Sequence, residues 1–174
     1  MTTSPPNRDT HVRAVPRPRG GFDPRRLHHW IAFGFGSGLA PRAPGTVGTL
    51  AAVPLYLALA PLAWPLYLGV LFGLVALGIW ACDRTARDLD DADPSAIVWD
   101  EWVGFLLTMV AAPSGWPWVI AGFLLFRLFD IWKPWPIGLV DRRVHGGLGI
   151  MLDDLIAGAM AALVLAIAAW WLVG

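Results

Sequence analysis

The acids of this chain stand where charge is expensive. They are missing from its long apolar stretches and gather at the ends of them. The clusters are Asp83, Asp88, Asp90, Asp91 and Asp93, then Asp100-Glu101, Asp130, Asp141 and Asp153-Asp154. Carboxylates at the border of an apolar span are costly unless they have partners. Several hard oxygen ligands together suit Mg²⁺ or Ca²⁺. A cation held at headgroup depth points to chemistry on a lipid phosphate. Asp100, Asp130 and Asp154 lie within one turn of an apolar boundary and are the first ligand candidates, with Glu101 and Asp153 beside them. Adjacent helical residues diverge by about 100°, so Asp100-Glu101 should supply one central ligand. Gly104, one turn on, leaves space beside Asp100. The run from Asp88 to Asp93 reads as a solvated loop.

Cationic partners follow the acids. Arg127 and Asp130 share a helix face at i,i+3, and Lys133 follows at the same interval. Lys133 is the only Lys among 13 basic side chains, and a compact ammonium suits a phosphate oxygen. Gly146-Gly147-Leu148-Gly149 reads as a flexible turn leading to Asp153-Asp154, which should stand at the mouth of the last apolar run. His145 beside that turn reads as structural or exposed.

An earlier segment, Phe33 to Thr49, carries Gly34, Gly36, Gly38, Gly45 and Gly48. Two readings compete there. The glycines let membrane helices pack closely, or a glycine turn entering a helix offers its N–H groups to an anion. The Ala-Pro-Gly-Thr sequence at the helix start favours the anion, with Arg42, Gly45, Thr46 and Thr49 as substrate-binding candidates. It is not a P-loop, because no Gly-Lys-Ser/Thr follows at the required spacing.

These residues need elements to hold them. Val47 to Cys82 carries no charge and is long enough for two spans of about 20 residues, turning near Pro61 and Pro65. Leu155 to Gly174 fits one more. Trp102 to Phe126 is uncharged too, but Pro113-Ser114-Gly115-Trp116-Pro117 breaks it. A single crossing there would put Asp100-Glu101 on the opposite face from Asp130 and Asp153-Asp154. A helical hairpin gives all the acids one address, and is the expected topology.

Composition agrees. Hydrophobic residues are 56% and charged residues 15%, against about 45–50% and about 25% in soluble domains. Mean hydropathy is +0.56. The 11 Trp suit lipid–water interfaces, with Trp99, Trp102, Trp132 and Trp135 expected against the lipid near the acids. Zero net charge implies no nucleic-acid partner. The single Cys82 excludes an internal disulfide and a Cys-based metal site. Residues 1–30 read as a flexible basic arm, cytoplasmic under the positive-inside rule, and 31–174 as one helical domain.

Three segments together resemble the phosphatidylglycerophosphatase A family of bacterial lipid phosphatases: GSGLAPRAPGTVGTLAAVPLY, IVWDEWVGF and FRLFDIWKPWPIGLVDRRVHGGLGIMLDDLIAG. The resemblance spans about Phe33 to Gly158. It implies an all-α, membrane-embedded bundle around a central helix in the bacterial inner membrane. It also implies Mg²⁺-dependent hydrolysis of phosphatidylglycerophosphate to phosphatidylglycerol and phosphate. By matching position, Asp100, Glu101, Asp130, Asp153 and Asp154 form the acidic site, and Arg127 and Lys133 meet the phosphate. A CDP-alcohol phosphotransferase is the alternative enzyme, but its Asp-Gly-x-x-Ala-Arg signature is missing. A cation transporter would hold its acids mid-span, not at span ends.

Overall fold

The computed structural model describes residues 21–173, and every element among them is helical. Most of the expected arm lies outside this range. The part within it is folded: Phe22 packs edge-on against Trp30, with ring centroids 4.9 Å apart. Helix α1, Leu27–Ala32, follows at once. The structured chain therefore begins before residue 31.

Proline and glycine set the remaining boundaries. A 3₁₀ turn over Gly34–Leu39 leads to α2, Pro44–Leu59, with Pro44 in the first turn, where a missing N–H costs nothing. The chain turns over residues 60–63. It then forms α3, Trp64–Leu89, with Pro65 in its first turn and Asp90 in the left-handed conformation after its end. The run expected to hold two spans thus holds one full-length helix and a 16-residue one, short for a crossing.

The expected hairpin is present. Helix α4, Trp99–Thr108, ends in a 3₁₀ turn over Met109–Ala111, and α5, Trp116–Trp132, begins after Gly115. Its two arms run antiparallel. Glu101 lies beside Arg127, Gly104 against Phe126, and Met109 against Gly122. Helix α5 stops before Pro134, since the residue preceding a proline is pushed out of the α region. Helix α6, Ile137–Arg143, then leads to α7, Gly146–Val173.

One expectation fails at α7. Gly146 to Gly149 are its first turn, not a flexible loop, so Asp153 and Asp154 stand two turns inside the helix. Packing is the reason. A Cβ on Gly147 would strike the Ile79 carbonyl oxygen and lie 2.7 Å from the Asp83 nitrogen. Glycine here lets α7 lie directly on the α3 backbone.

Helix α7 is the centre, packed on α3, α4, α5 and α6. Its tightest crossing is with α4. A Cβ on Gly158 would collide with the Gly104 carbonyl, and one on Gly104 would sit 2.8 Å from the Asp154 carbonyl oxygen. Thr108 donates to both the Gly104 and Gly158 carbonyls, at 3.0 and 3.4 Å. Helices α3 and α7 are long and apolar enough to cross a membrane. Their outward faces bare Phe72, Leu163 and Ile167, an exposure suited to lipid.

Candidate functional site

Four elements converge on a cavity of about 260 Å³. Helix α2 supplies its N-terminal end, Pro44 and Gly45. Helix α4 supplies Asp100 and Glu101 from its first turn. The end of α5 gives Arg127, Asp130 and Lys133, and α7 gives Asp153 and Asp154. The hairpin is what joins them, because it returns residues 127–133 to the end of α4 from which Asp100 starts.

The five candidate acids divide into two kinds. Carboxylate oxygens of Asp100, Glu101 and Asp154 lie within 4.8 Å of one another. The other two are each matched to a cation. Asp130 pairs with Arg127, and Asp153 accepts from Lys133 Nζ at 2.8 Å. Both members of the Asp100-Glu101 pair join the trio, where one was expected. They sit in the first helical turn, whose end faces the cavity, so the divergence of neighbouring residues does not carry either away.

The trio's charges conflict. Asp100, Glu101 and Asp154 crowd three like charges together where the helix ends meet. Among the described residues, Glu101 Oε2, Asp153 Oδ1, Asp154 Oδ2 and Arg127 Nε are buried without a hydrogen-bond partner. Buried carboxylate oxygens left in this state are a strong demand for a cation. The donor set fits a hard divalent ion, with only oxygen ligands and no soft one.

Lys133 is aimed by its backbone. It takes a left-handed conformation (φ 45°) after α5, uncommon for a side chain of its kind. Its ammonium donates to Asp141 Oδ1 at 2.7 Å and Asp153 Oδ2 at 2.8 Å. Burial works against the charge, but these two acids outweigh it and hold the pKa above the usual lysine value. Asp141 is the residue that sequence reasoning left without a role. Its eight-residue spacing from Lys133 crosses a helix break, so no periodicity linked the two.

The glycine segment divides as well. Gly34, Gly38 and Gly48 serve packing, each lying against Val98. Gly45 serves the cavity, where a Cβ would strike Glu101 Oε1 and come within 3.0 Å of the Arg127 guanidinium. No side chain caps α2, so its first N–H groups stay available at this end. The structure does not bring Arg42, Thr46 or Thr49 into the cavity lining. Arg42 is exposed, and the buried Thr49 hydroxyl donates to the Gly45 carbonyl at 2.9 Å.

The tryptophan expectation needs correction. Trp99 and Trp102 are buried and stacked 5.6 Å apart in the core. Trp132 and Trp135 are the exposed pair. Cys82 is free and buried, an ordinary packing residue.

Asp88 also departs from its loop reading. It lies in the last turn of α3 and clasps α1. Its Oδ2 accepts from His28 Nε2 at 2.7 Å and His29 Nε2 at 3.3 Å, and it pairs with Arg26. His29 Nδ1 accepts the Asp23 N–H at 3.0 Å, which leaves the ring proton on Nε2, facing Asp88. Burial lowers the His29 pKa, consistent with that neutral form. Arg26 already neutralises Asp88, so this cluster is a clasp and not a second cation site.

A family model, PgpA: Phosphatidylglycerophosphatase A, matches residues 30–169. A phosphatidylglycerophosphatase A of Escherichia coli is 49% identical over 135 residues, covering 77% of this chain and 78% of that protein. A protein of the same name from Haemophilus influenzae is 42% identical over 151 residues, covering 83% and 90%. A putative phosphatidylinositol-3-phosphatase of Bacteroides thetaiotaomicron is 41% identical over 150 residues, covering 80% and 92%. No solved structure matches. With the family model spanning the α2 glycine turn, the α4 acids and the α7 acids alike, the chain belongs to the phosphatidylglycerophosphatase A family, phosphomonoester hydrolases of phosphatidylglycerol biosynthesis.

Proposed function

We propose that this chain hydrolyses phosphatidylglycerophosphate with Asp100, Glu101 and Asp154 as the seat of a Mg²⁺ ion. The observation that carries this is the trio itself, three carboxylates within 4.8 Å, of which Glu101 and Asp154 each keep a buried, unpartnered oxygen. Bound there, the ion supplies charge stabilisation to a phosphoryl oxygen and acidifies water.

The chain's own groups do the rest. Lys133 spends two of its three donors on Asp141 and Asp153 and keeps one for a phosphate oxygen. Arg127, fixed by Asp130 and 3.7 Å from Glu101, offers guanidinium charge to another. The uncapped N–H groups of α2 add dipolar stabilisation from the third side. In the reaction a P–O bond forms to the entering oxygen, the bond to the glycerol oxygen breaks, and that oxygen leaves with a proton.

In this reading the folded segment from Phe22 onward belongs to the catalytic domain. The protein sits in the bacterial inner membrane with the cavity facing the cytoplasm. Arg84, Arg87, Arg142 and Arg143 all stand at the cavity end. The far turns, residues 60–63 and 112–115, carry no basic residue. That asymmetry is the positive-inside pattern.

The test is phosphate release from phosphatidylglycerophosphate by the purified protein, with Mg²⁺ and after chelation. Release that survives complete chelation would reject the cation's role. Because one relative is named a putative phosphatidylinositol-3-phosphatase, the assay includes phosphatidylinositol 3-phosphate. A preference for that lipid would overturn the headgroup assignment.

A further inference from the structure

We propose that the seam between α2 and α5 seats one acyl chain of the lipid substrate, an inference that rests on the lipid-phosphate reading above. The two helices run antiparallel from the cavity outward. At the cavity, Gly45 of α2 lies against Arg127 of α5. Further along, Leu50 and Val53 of α2 share a groove of about 170 Å³ with Phe123, Val119 and Trp116 of α5. As the numbers rise on one helix they fall on the other, so cavity and groove are successive stations on one line.

The two stations differ in chemistry. The cavity is lined by charged groups of both signs, the groove by apolar side chains alone. A molecule filling both must join a phosphate to a hydrocarbon. From Gly45 to Val53 the seam runs about 12 Å along the helix axis. Val53 and Val119 are buried and form its floor, while Leu50 is 61% exposed and forms its rim. Trp116, in the first turn of α5, stands at the far end. Leu163 on α7 is exposed but lines neither the cavity nor the groove. A chain in the seam holds the glycerol end beside Gly45 and Arg127, and that remote contact supports catalysis at phosphorus.

The experiment compares dioleoyl with dihexanoyl phosphatidylglycerophosphate in matched detergent, using the full-length protein. Leu50→Trp fills the rim and Val53→Trp fills the floor. Each should lower kcat/KM for the dioleoyl substrate about tenfold, chiefly through KM, and leave the dihexanoyl substrate unchanged. Trp116→Ala opens the far end and should move the preferred chain length upward. Leu163→Trp, outside the seam, should change neither substrate. Should Val53→Trp not fold, Leu50→Trp and Trp116→Ala decide the matter. Equal effects on both substrates, or none on either, would overturn the seam while leaving the phosphatase intact. Wild-type protein that releases phosphate from neither lipid would sink the reading beneath it.

Discussion

Asp100 and Asp154 are two of the three proposed cation ligands, and at the residue scale their removal is the sharpest test of that proposal. Asp100→Asn or Asp154→Asn keeps the volume and deletes one charge. Turnover should fall by about 10²–10³, the usual loss when one electrostatic stabiliser goes, with insertion unchanged. Near-normal phosphate release from both variants would reject the trio. Asp141 acts at one remove. It touches Lys133 and not the trio, so Asp141→Asn should lower kcat by about 10–100-fold. KM should change less, Asp141→Glu should restore much of the rate, and the alkaline limb of the rate profile should move down as Lys133 loses an acid partner. A uniform loss with an unmoved profile would mean that Asp141 serves only the fold. The acids were legible in the sequence because burying charge beside apolar runs is costly, and that cost shows in composition alone. The split into a trio and two matched pairs was not legible. It depends on a left-handed Lys133 and on helix ends that meet only in three dimensions.

At the element scale the α4–α7 crossing sets the site's width. Gly104 follows Asp100 by one turn, and Gly158 follows Asp154 by one turn. The two backbones touch at the glycines, so the acids are spaced by main chain and not by adjustable side chains. Gly104→Leu should push against Phe126 and the Asp154 carbonyl, at a cost of about 1–3 kcal/mol. It should also weaken Mg²⁺ more than it weakens folding. Titrating activity against Mg²⁺ and melting the same sample would separate the two effects. A variant that melts early but keeps wild-type Mg²⁺ dependence would show that the crossing only holds the bundle. The hairpin was legible because Pro113 and Pro117 break an apolar run whose ends both carry acids. The start of α7 was not. Glycines that suggest a loop in one dimension are, in the fold, the means by which a helix lies on another backbone.

For the whole molecule, exposed tryptophans mark both ends. Trp132 and Trp135 stand at the cavity end, and Trp64, Trp116, Trp170 and Trp171 at the other. Amphipathic rings at two levels are what a bilayer-spanning body presents. Cysteines placed at Asp91 and Arg142 should label from one face of intact vesicles, and one at Ser114 from the other. The buried Cys82 should stay silent. Labelling of Asp91 and Arg142 from opposite faces would refute the shared address of the acids. The enzyme should also hydrolyse phosphatidylglycerophosphate far better than glycerol 3-phosphate in matched detergent, and equal kcat/KM on the two would undo the lipid reading. One further consequence lies in the order of assembly. The hub on which α3, α4, α5 and α6 all rest is α7, the last of the described helices. Closing the contact between Asp100 and Asp154 spans most of the chain's second half, and distant closures come slowly. During synthesis the acids of α4 emerge before the helix that completes their trio, so the enzyme acquires its centre and its proposed cation site in the same late step.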